Sequence, residues 1–285
     1  MKDKEYVLSL SYGKDSLACL GAIEELGLPL DRIVHAEVWA TDVIQADLPE
    51  MVEFKERADK IIKERYGIKV EHFKSAETYE SGFYKVYGSR SKKCGELWGF
   101  PFASFSGGNW CQSLLKRKAL ANLPSGCVQY VGIASDEPNR FHNLNDKKRS
   151  PLAEAGWTEE MCRKWCEEND LLSPIYTTAT RGGCWFCHNQ GIGPLRLLRK
   201  NHPDLWALLL KWDIDSPVSF KPDGHTVHDF DKRFAMEEME LVPTDRKFRW
   251  NMLNQCDNCW WKGKPIDCPA DFDIDTKICK NFKDK

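Results

Sequence analysis

The sequence predicts an α/β protein built on a parallel sheet, because short apolar runs of strand length alternate with longer segments of helical periodicity. Tyr6–Leu10 has strand length, and the apolar residues after it recur at helical spacing until Gly27 and Pro29. Arg32–Trp39 is a second predicted strand and Lys69–Phe73 a third. This β-α-β-α-β order implies right-handed crossovers. It therefore predicts ligand binding beyond the carboxyl ends of the strands.

The helix between the second and third strands is predicted to begin at Pro49. Asp47 and Glu50 have the spacing of a capping box, and proline suits a first helical turn. The helical pattern continues to Tyr66, and a fourth strand is predicted at Val128–Ile133. Both strands and helices thus continue the α/β pattern past the first hundred residues.

The rest of the chain divides into an irregular segment, further helices and a cysteine-rich end. Residues 75–110 are predicted to form an irregular insertion or lid, 112–122 a helix, 134–150 a polar loop, 159–169 a helix and 194–212 another helix. Helical periodicity fades after Leu241, where cysteines return. We expect a nucleotide-binding domain over residues 1–240 and a small cysteine-rich extension over 241–285.

Composition excludes several classes of protein. A chain of 285 residues can bury a full core, and its net charge of −2 gives no global attraction to nucleic acid or membranes. No stretch approaches the roughly 20 apolar residues of a membrane span. The N-terminal sequence Met-Lys-Asp-Lys-Glu lacks the apolar segment of a secretory signal. We therefore expect a cytoplasmic protein with no membrane partner.

The turn between the first strand and its helix has the composition of a phosphate site. Ser11–Ser16 reads Ser-Tyr-Gly-Lys-Asp-Ser. Its hydroxyls can donate hydrogen bonds, Gly13 allows close approach to the backbone, and Lys14 adds a positive charge at a helix N-terminus. The glycine spacing of a Walker A loop is absent. This turn predicts binding of a polyphosphate.

The same residues resemble the Ser-x-Gly-x-Asp-Ser signature of the PP-loop nucleotide enzymes. Further motifs occur in the order found in one branch of that superfamily, the phosphoadenosine phosphosulfate (PAPS) reductase family. They are Asp47-Leu48-Pro49-Glu50, Trp110-Cys111-Gln112-Ser113-Leu114-Leu115-Lys116, Val131-Gly132-Ile133-Ala134-Ser135-Asp136-Glu137 and Gly183-Cys184-Trp185-Phe186-Cys187. The resemblance covers about residues 5–212.

This resemblance implies a Rossmann-like adenine nucleotide alpha-hydrolase fold with an adenine nucleotide, and Mg²⁺, held over the turn. The residues implied to hold the phosphates are Ser11, Gly13, Lys14, Asp15 and Ser16. Asp42 would lie near the ribose or base, and Lys116 and Arg140 near a distal phosphate or sulfate. Lys14, Asp15, Lys116 and Arg140 are the candidate catalytic residues, although Asp15 would also suit a helix cap.

One departure from the family affects the expected reaction. The C-terminal Glu-Cys-Gly-Leu/Ile-His motif of sulfonucleotide reductases is absent, and Cys279 lies in Ile278-Cys279-Lys280. We therefore favour cleavage of ATP between its α- and β-phosphates, which adenylates a substrate for sulfur transfer. A sulfur-donor protein and a tRNA or DNA acceptor are possible partners.

Two alternatives remain open. The first is a PAPS or adenosine phosphosulfate (APS) reductase that uses a nonstandard cysteine. The second is an inactive nucleotide- or nucleic-acid-binding module that grips phosphates through basic residues, namely Lys92, Lys93, Lys116, Arg117 and Lys118.

The chain has 12 cysteines, which in a reducing compartment favours metal or sulfur chemistry over disulfides. Cys184 and Cys187 form a Cys-x-x-Cys turn, and the family resemblance brings Cys111 to the same edge of the sheet. Three thiolates would suit an iron–sulfur cluster with an open iron. Adding His188 or Cys94 would instead suit Zn²⁺. A redox dithiol or two packed thiols are the alternatives.

A second set of cysteines lies in the predicted extension, where little apolar periodicity supports a core. Its members are Cys256, Cys259, Cys268 and Cys279, and we expect them to bind structural zinc or an iron–sulfur cluster. The other expectations are burial of Cys19, Cys127, Cys162, Cys166, Trp206 and Trp212, and a polar loop around His225 and His228.

Overall fold

The structure, a computed structural model, describes residues 4–101, 109–124, 126–177 and 182–253, with the backbone of 260–261 and 264–265. The chain has two compact units. Met1–Leu198 with Ser216–Val218 form the first, and Arg199–Asp215 with Ser219–Lys285 form the second. Most of the extension predicted over 241–285, including its four cysteines, lies outside the described residues, so its separate domain stays a prediction.

The first unit contains the predicted parallel sheet. Its strands are β1 (Tyr6–Ser9), β2 (Arg32–Glu37), β3 (Val70–Lys74), β4 (Val128–Tyr130) and β5 (Lys148–Arg149). All neighbouring pairs are parallel and the order is β3-β2-β1-β4-β5. The chain therefore runs outward from β1 to β3 and returns to the other side of β1 as β4. This reversal creates a topological switch point between β1 and β4, where ligands bind in open α/β sheets.

Helices flank this sheet, which confirms the α/β prediction. They are α1 (Lys14–Glu25), α2 (Pro49–Tyr66), α3 (Tyr79–Phe83), α4 (Pro151–Ala155) and α5 (Glu159–Glu168). The next helix, α6 (Ile192–Asn201), has its residues up to Leu198 in the first unit and the rest in the second. The predicted helix at 112–122 is a π-helical segment, Gln112–Arg117, followed by a 3₁₀ turn, Leu120–Asn122. Further 3₁₀ turns lie at Pro138–Asn143 and Pro174–Thr177. The predicted polar loop at 134–150 contains β5, a strand too short for sequence periodicity to show.

Helix α1 lies in the centre of the first unit's core, and nine of its twelve residues are buried. Gly21 allows α5 to pack closely, since a Cβ there would lie 2.4 Å from Nε1 of Trp165. Cys162 and Cys166 on α5 are fully buried, as predicted, and Cys19 and Cys127 are also buried. These four thiols are apolar core residues.

The predicted capping box of α2 is wrong. Leu48 is the N-cap residue and makes no side-chain capping hydrogen bond. Asp47 instead forms an ion pair with Lys55, two helical turns along α2. The Asp47 carboxylate therefore accepts from the buried Lys55 ammonium and not from the backbone N–H groups at the start of α2.

The second unit contains α7 (Pro203–Asp215), α8 (Val227–Glu238) and the antiparallel pair β6 (Trp260–Trp261) and β7 (Lys264–Pro265). The single helix predicted over 194–212 is two helices, because Pro203 has no backbone N–H to continue α6 and begins α7 instead. Trp206 and Trp212 are buried, as predicted.

The polar loop predicted around His225 and His228 holds for His225, which precedes α8, but is wrong for His228, which lies in the first turn of α8. Thr226 caps this helix in a reciprocal capping box with Asp229. The ring of His228 contacts the Asp213 carboxylate at 2.6 Å, and the ring of His225 stacks on Trp250 at 3.7 Å. Among the described residues, no helix is long and apolar enough to span a bilayer.

Candidate nucleotide site

The turn from β1 into α1 is held by hydrogen bonds within the turn itself. The Ser11 N–H donates to Oγ of Ser16 at 3.1 Å, and the Ser16 hydroxyl donates to the Gly13 carbonyl at 2.9 Å. Gly13 is the N-cap residue of α1 and provides no side-chain cap. Tyr12 has a φ of +57°, a conformation that costs a non-glycine residue about 1 kcal/mol. We call Ser11–Ser16 the phosphate loop.

A cavity of about 530 Å³ lies above the phosphate loop, at the switch point between β1 and β4. Its floor is formed by the loop and by the ends of β1 and β2. Its basic lining residues are Lys55, Lys116, Arg140 and Lys148, and its acidic ones are Asp15 and Asp47. Among the described lining residues, basic side chains thus outnumber acidic ones, which favours an anionic ligand.

Gly132, just beyond β4, brings that strand against the phosphate loop. A Cβ at this position would lie 2.6 Å from the Ser16 nitrogen and 2.7 Å from the Asp15 carbonyl carbon. Only a residue without a side chain permits this approach of two backbones. The wall and floor of the cavity therefore meet at a glycine.

Most of the predicted phosphate residues line this cavity, but the Lys14 side chain is not among the described lining residues. The lining includes Ser11, Gly13, Asp15, Ser16, Lys116 and Arg140. The Lys14 ammonium instead bonds Asp15 at 2.6 Å and Glu159 at 2.8 Å. Burial alone would lower the pKa of Lys14, but these two hydrogen bonds more than offset it and raise the pKa to about 12. Lys14 is thus a charged residue already paired with carboxylates.

The two acidic candidates have different environments. Asp15 is in the first turn of α1, where burial raises its pKa and the Lys14 ammonium partly counteracts that rise. Asp42 is exposed, in a surface turn in which Oγ1 of Thr41 accepts from the Ile44 N–H, and it is not among the described lining residues. Asp47 lines the cavity instead, so the acidic group on this side comes five residues later than predicted.

Tyr176 also contacts the phosphate loop. Its hydroxyl accepts the Lys14 backbone N–H at 2.9 Å and lies 3.3 Å from the position of a Cβ on Gly13. Lys14 is the first residue of α1, so this N–H is one that the helix itself leaves unpaired. The tyrosine oxygen occupies a position suited to a phosphate oxygen.

The Cys184–Cys187 turn borders the cavity, and Cys184 lines it. The turn is held by Trp185, whose backbone N–H donates to the Ala46 carbonyl and whose indole N–H donates to the Gln45 carbonyl, both at 2.9 Å. Phe186 packs on Tyr79 with ring centroids 4.0 Å apart. Two hydrogen bonds and an aromatic contact therefore fix the turn beside the loop after β2.

The segment that carries Cys111 and the Cys184–Cys187 turn pack on the same tyrosine: the Tyr79 ring lies 5.1 Å from that of Trp110 and 4.0 Å from that of Phe186. Burial raises the pKa of Cys111 to about 11 and that of Cys184 to about 12, while Lys116 opposes both shifts. The described residues nevertheless include no group of three or more His, Cys, Asp or Glu side chains arranged to hold a metal ion. The donors are of the right type for a cluster, but their arrangement does not fit one.

The other predicted metal ligands add little to this region. His188 is buried and Cys94 is exposed. The second cysteine set, Cys256, Cys259, Cys268 and Cys279, lies outside the described residues. Metal binding by either set stays a prediction.

Sequence reasoning missed several residues that line the cavity, namely Tyr12, His35, Lys55, Lys148 and Tyr176. It also missed Asp59 and His72, which contact the Tyr12 hydroxyl. Lys55 and Asp59 lie one turn apart on α2 among apolar positions of its inner face. Their positions were a signal available in the sequence. Charged residues on the inner face of a helix are buried only when they have a polar or charged partner, so such partners could have been expected.

No family model matches this sequence, and no curated protein matches it. Among solved structures, the chain is similar to a U34-tRNA thiolase, NcsA from Methanococcus maripaludis, with its [4Fe-4S] cluster. The TM-score is 0.36 and the identity 13%, with 89% of this chain and 80% of that chain covered. This likeness is too weak to support an argument about function, and the fold is established by the order and direction of the strands.

Proposed function

We propose that this protein binds ATP in the cavity above the phosphate loop and cleaves it between the α- and β-phosphates to adenylate a substrate for sulfur transfer. One observation carries the proposal: a cavity with a net excess of basic side chains lies at the switch point of a parallel sheet, with a helix N-terminus at its floor. The resemblance of the loop to the PP-loop signature and of later motifs to the PAPS reductase family supports it.

The lining residues suit the charges of such a reaction. A nucleophile on the substrate attacks the α-phosphorus, the bond to the bridging oxygen breaks, and pyrophosphate leaves with the negative charge. Lys116 lines the cavity and can stabilise this charge, together with backbone N–H groups of the loop. Arg140 also lines the cavity, but its guanidinium bonds Glu137 at 2.6 Å, so it must exchange that carboxylate for a phosphate oxygen to contribute. Bound Mg²⁺ would add charge neutralisation to the phosphates.

Lys14 can act on the phosphates only if its ammonium exchanges a carboxylate for a phosphate oxygen. Glu159 is the partner that is easier to lose, since its side chain is 49% exposed, whereas that of Asp15 is 22% exposed. We propose that a bound nucleotide replaces Glu159 and that Lys14 then contacts the leaving pyrophosphate.

The sulfur-transfer half of the proposal is supported by Cys184, a thiol in the cavity wall. Cys111 and Cys187 are proposed to act with it. A sulfur-donor protein and a tRNA or DNA acceptor remain proposals. The expected iron–sulfur cluster or Zn²⁺ is not placed at these three residues, because their described arrangement does not fit one. No step of the reaction above depends on a metal at the cysteines.

The direct test incubates the protein with ATP, Mg²⁺, a tRNA acceptor and a sulfur donor and measures AMP and pyrophosphate. Lys116→Ala is expected to weaken ATP binding at least about tenfold, because it removes a cavity-lining charge that we propose to contact phosphate. Arg117→Ala is the matched control, since its neighbouring exposed side chain is not among the described lining residues. Absence of ATP binding by the wild type, or equal effects of the two variants, would refute the proposal.

Cys184 also favours a second candidate, reduction of a sulfonucleotide such as PAPS or APS. Cys184 lines the same cavity as the phosphate loop, and we propose that its thiol attacks the sulfate sulfur of a nucleotide bound there. Incubation with PAPS and a dithiol would then release sulfite, and Cys184→Ser would abolish that release. Salt-dependent RNA or DNA binding without any nucleotide turnover would instead favour the inactive binding module.

A further inference from the structure

Two histidines lie side by side beneath the phosphate loop. His35 on β2 and His72 on β3 are direct partners in the parallel register, and their rings are 5.5 Å apart. Each ring contacts one charged side chain of α2 and one part of the chain at the phosphate loop. The two histidines therefore connect the region of the phosphate loop to α2, a helix that is separate from the loop in the sequence.

The first link, which we call the Lys55 network, ends on the backbone before the loop. The Lys55 ammonium bonds the Asp47 carboxylate and lies 3.0 Å from Nε2 of His35. An ammonium can only donate, so Nε2 accepts and Nδ1 carries the hydrogen. Nδ1 accordingly donates to the Leu10 carbonyl at 2.8 Å. Burial, followed by the Lys55 charge, lowers the pKa of His35 well below its usual range, which is consistent with this neutral tautomer.

The second link, the Asp59 network, ends on the residue with positive φ. The Tyr12 hydroxyl donates to Asp59, and Nε2 of His72 contacts the other oxygen of that carboxylate at 2.7 Å. The Tyr12 side chain is 1% exposed, and its ring meets His35 edge-on with centroids 4.8 Å apart. The unfavourable backbone angle of Tyr12 thus persists because the side chain is bonded and buried.

We propose that Lys55 and Asp59 are positioning residues for the phosphate loop, acting through His35 and Tyr12. Leu10 and Tyr12 lie on either side of Ser11, so the two networks fix the backbone before and after the residue whose N–H and hydroxyl meet Ser16. This inference rests on the proposed function, since it assumes that the loop binds phosphates. On this proposal, contacts from α2 hold the hydrogen-bond donors of the phosphate loop in place before the nucleotide binds. A flexible loop would instead have to order those donors on binding, which costs affinity.

The test compares the affinities for ATP and adenosine, because only ATP places phosphates on the loop. His35→Leu removes the hydrogen bond to Leu10 and is expected to reduce the ATP-to-adenosine affinity ratio about tenfold, as for loss of one oriented hydrogen bond. His35→Asn places an amide N–H where Nδ1 lies and is expected to keep the ratio within about threefold of wild type. Tyr12→Phe and Lys55→Met, which each break one network, are expected to lower the ratio.

A purely structural role predicts a different pattern. It would lower the free energy of unfolding in all variants and leave the affinity ratio of the folded protein unchanged. Ile62→Val, a fully buried change on α2 outside both networks, is the matched control for stability. If His35→Leu fails to fold, Tyr12→Phe and Lys55→Met decide the question.

The two levels of the proposal fail in distinguishable ways. A wild-type protein that binds ATP no better than adenosine overturns the proposed function. A wild-type protein that prefers ATP, together with Tyr12→Phe and Lys55→Met variants that keep the full preference, overturns the positioning role alone.

Discussion

Replacement of Gly132 by alanine tests the geometry of the cavity most directly. The added Cβ would lie 2.6 Å from the Ser16 nitrogen, whereas ordinary contacts begin near 3.4 Å. The end of β4 and the start of α1 must therefore separate by roughly 0.8 Å. All three nearest atoms belong to the backbone of Asp15 and Ser16, so no side chain can rotate to relieve the contact.

We expect the Gly132→Ala variant to lose about 1–3 kcal/mol in the free energy of unfolding, the usual cost of overpacking. A loop displaced by a sizeable fraction of an ångström should also lose ATP cleavage, by a factor on the order of 10 to 100. Urea denaturation measures the first quantity, and pyrophosphate release at saturating ATP measures the second.

Gly126→Ala is the matched control, because a Cβ at that position has no described atom within 4 Å. Its stability should remain within about 0.5 kcal/mol of wild type. If Gly132→Ala unfolds at the wild-type urea concentration and cleaves ATP at the wild-type rate, β4 does not approach the loop as described and the reasoning fails.

Two further predictions concern ionisable groups. The hydrogen bond to Asp213 raises the pKa of His228, and burial opposes this rise. The contact therefore stabilises the fold fully below the unfolded pKa near 6.5. This stabilisation is lost as the pH rises through the higher pKa of the folded state. His228→Gln should therefore lower the free energy of unfolding by up to about 1 kcal/mol in mildly acidic buffer, a small value because the half-exposed ring is screened by solvent. The loss should be smaller above neutrality. An equal loss at both pH values, or the same pattern in the control variant His142→Gln, would contradict this. The raised pKa of Cys184 predicts slow alkylation at neutral pH, and its place in the cavity wall predicts further protection by ATP. Peptide mass spectrometry after maleimide labelling checks this, with exposed Cys94 as the site whose labelling ATP should not change.

Periodicity and local motifs predicted the architecture because helices, strands and turns are determined largely by residues close together in the sequence. Alternating strands and helices indicated the parallel sheet, and the composition of Ser11–Ser16 indicated the site at the end of β1. The break between α6 and α7 had a visible signal in Pro203, and the start of α8 had one in the Thr226-x-x-Asp229 spacing. Both were readable from the sequence once proline and capping residues were weighed against apolar spacing.

The partners of charged side chains could not be predicted in the same way. Asp47 has the spacing of a cap, yet its partner is Lys55, because a buried ammonium needs a carboxylate more than a solvated helix end needs a cap. Lys14 has the position of a phosphate ligand, yet it bonds Glu159, which lies 145 residues away in the sequence. Such pairs depend on which elements fold against each other, and a single sequence does not contain that information.

The pairing of His35 with His72 has a consequence for protein engineering. The shape of the phosphate loop depends on neighbouring strands and on one face of α2. The loop therefore cannot be transferred to another protein by itself and keep its conformation. Transplanting residues 11–16 alone into another α/β scaffold should yield a turn of the right composition and the wrong shape. A successful graft would have to carry both histidines and the two helical residues that bond them.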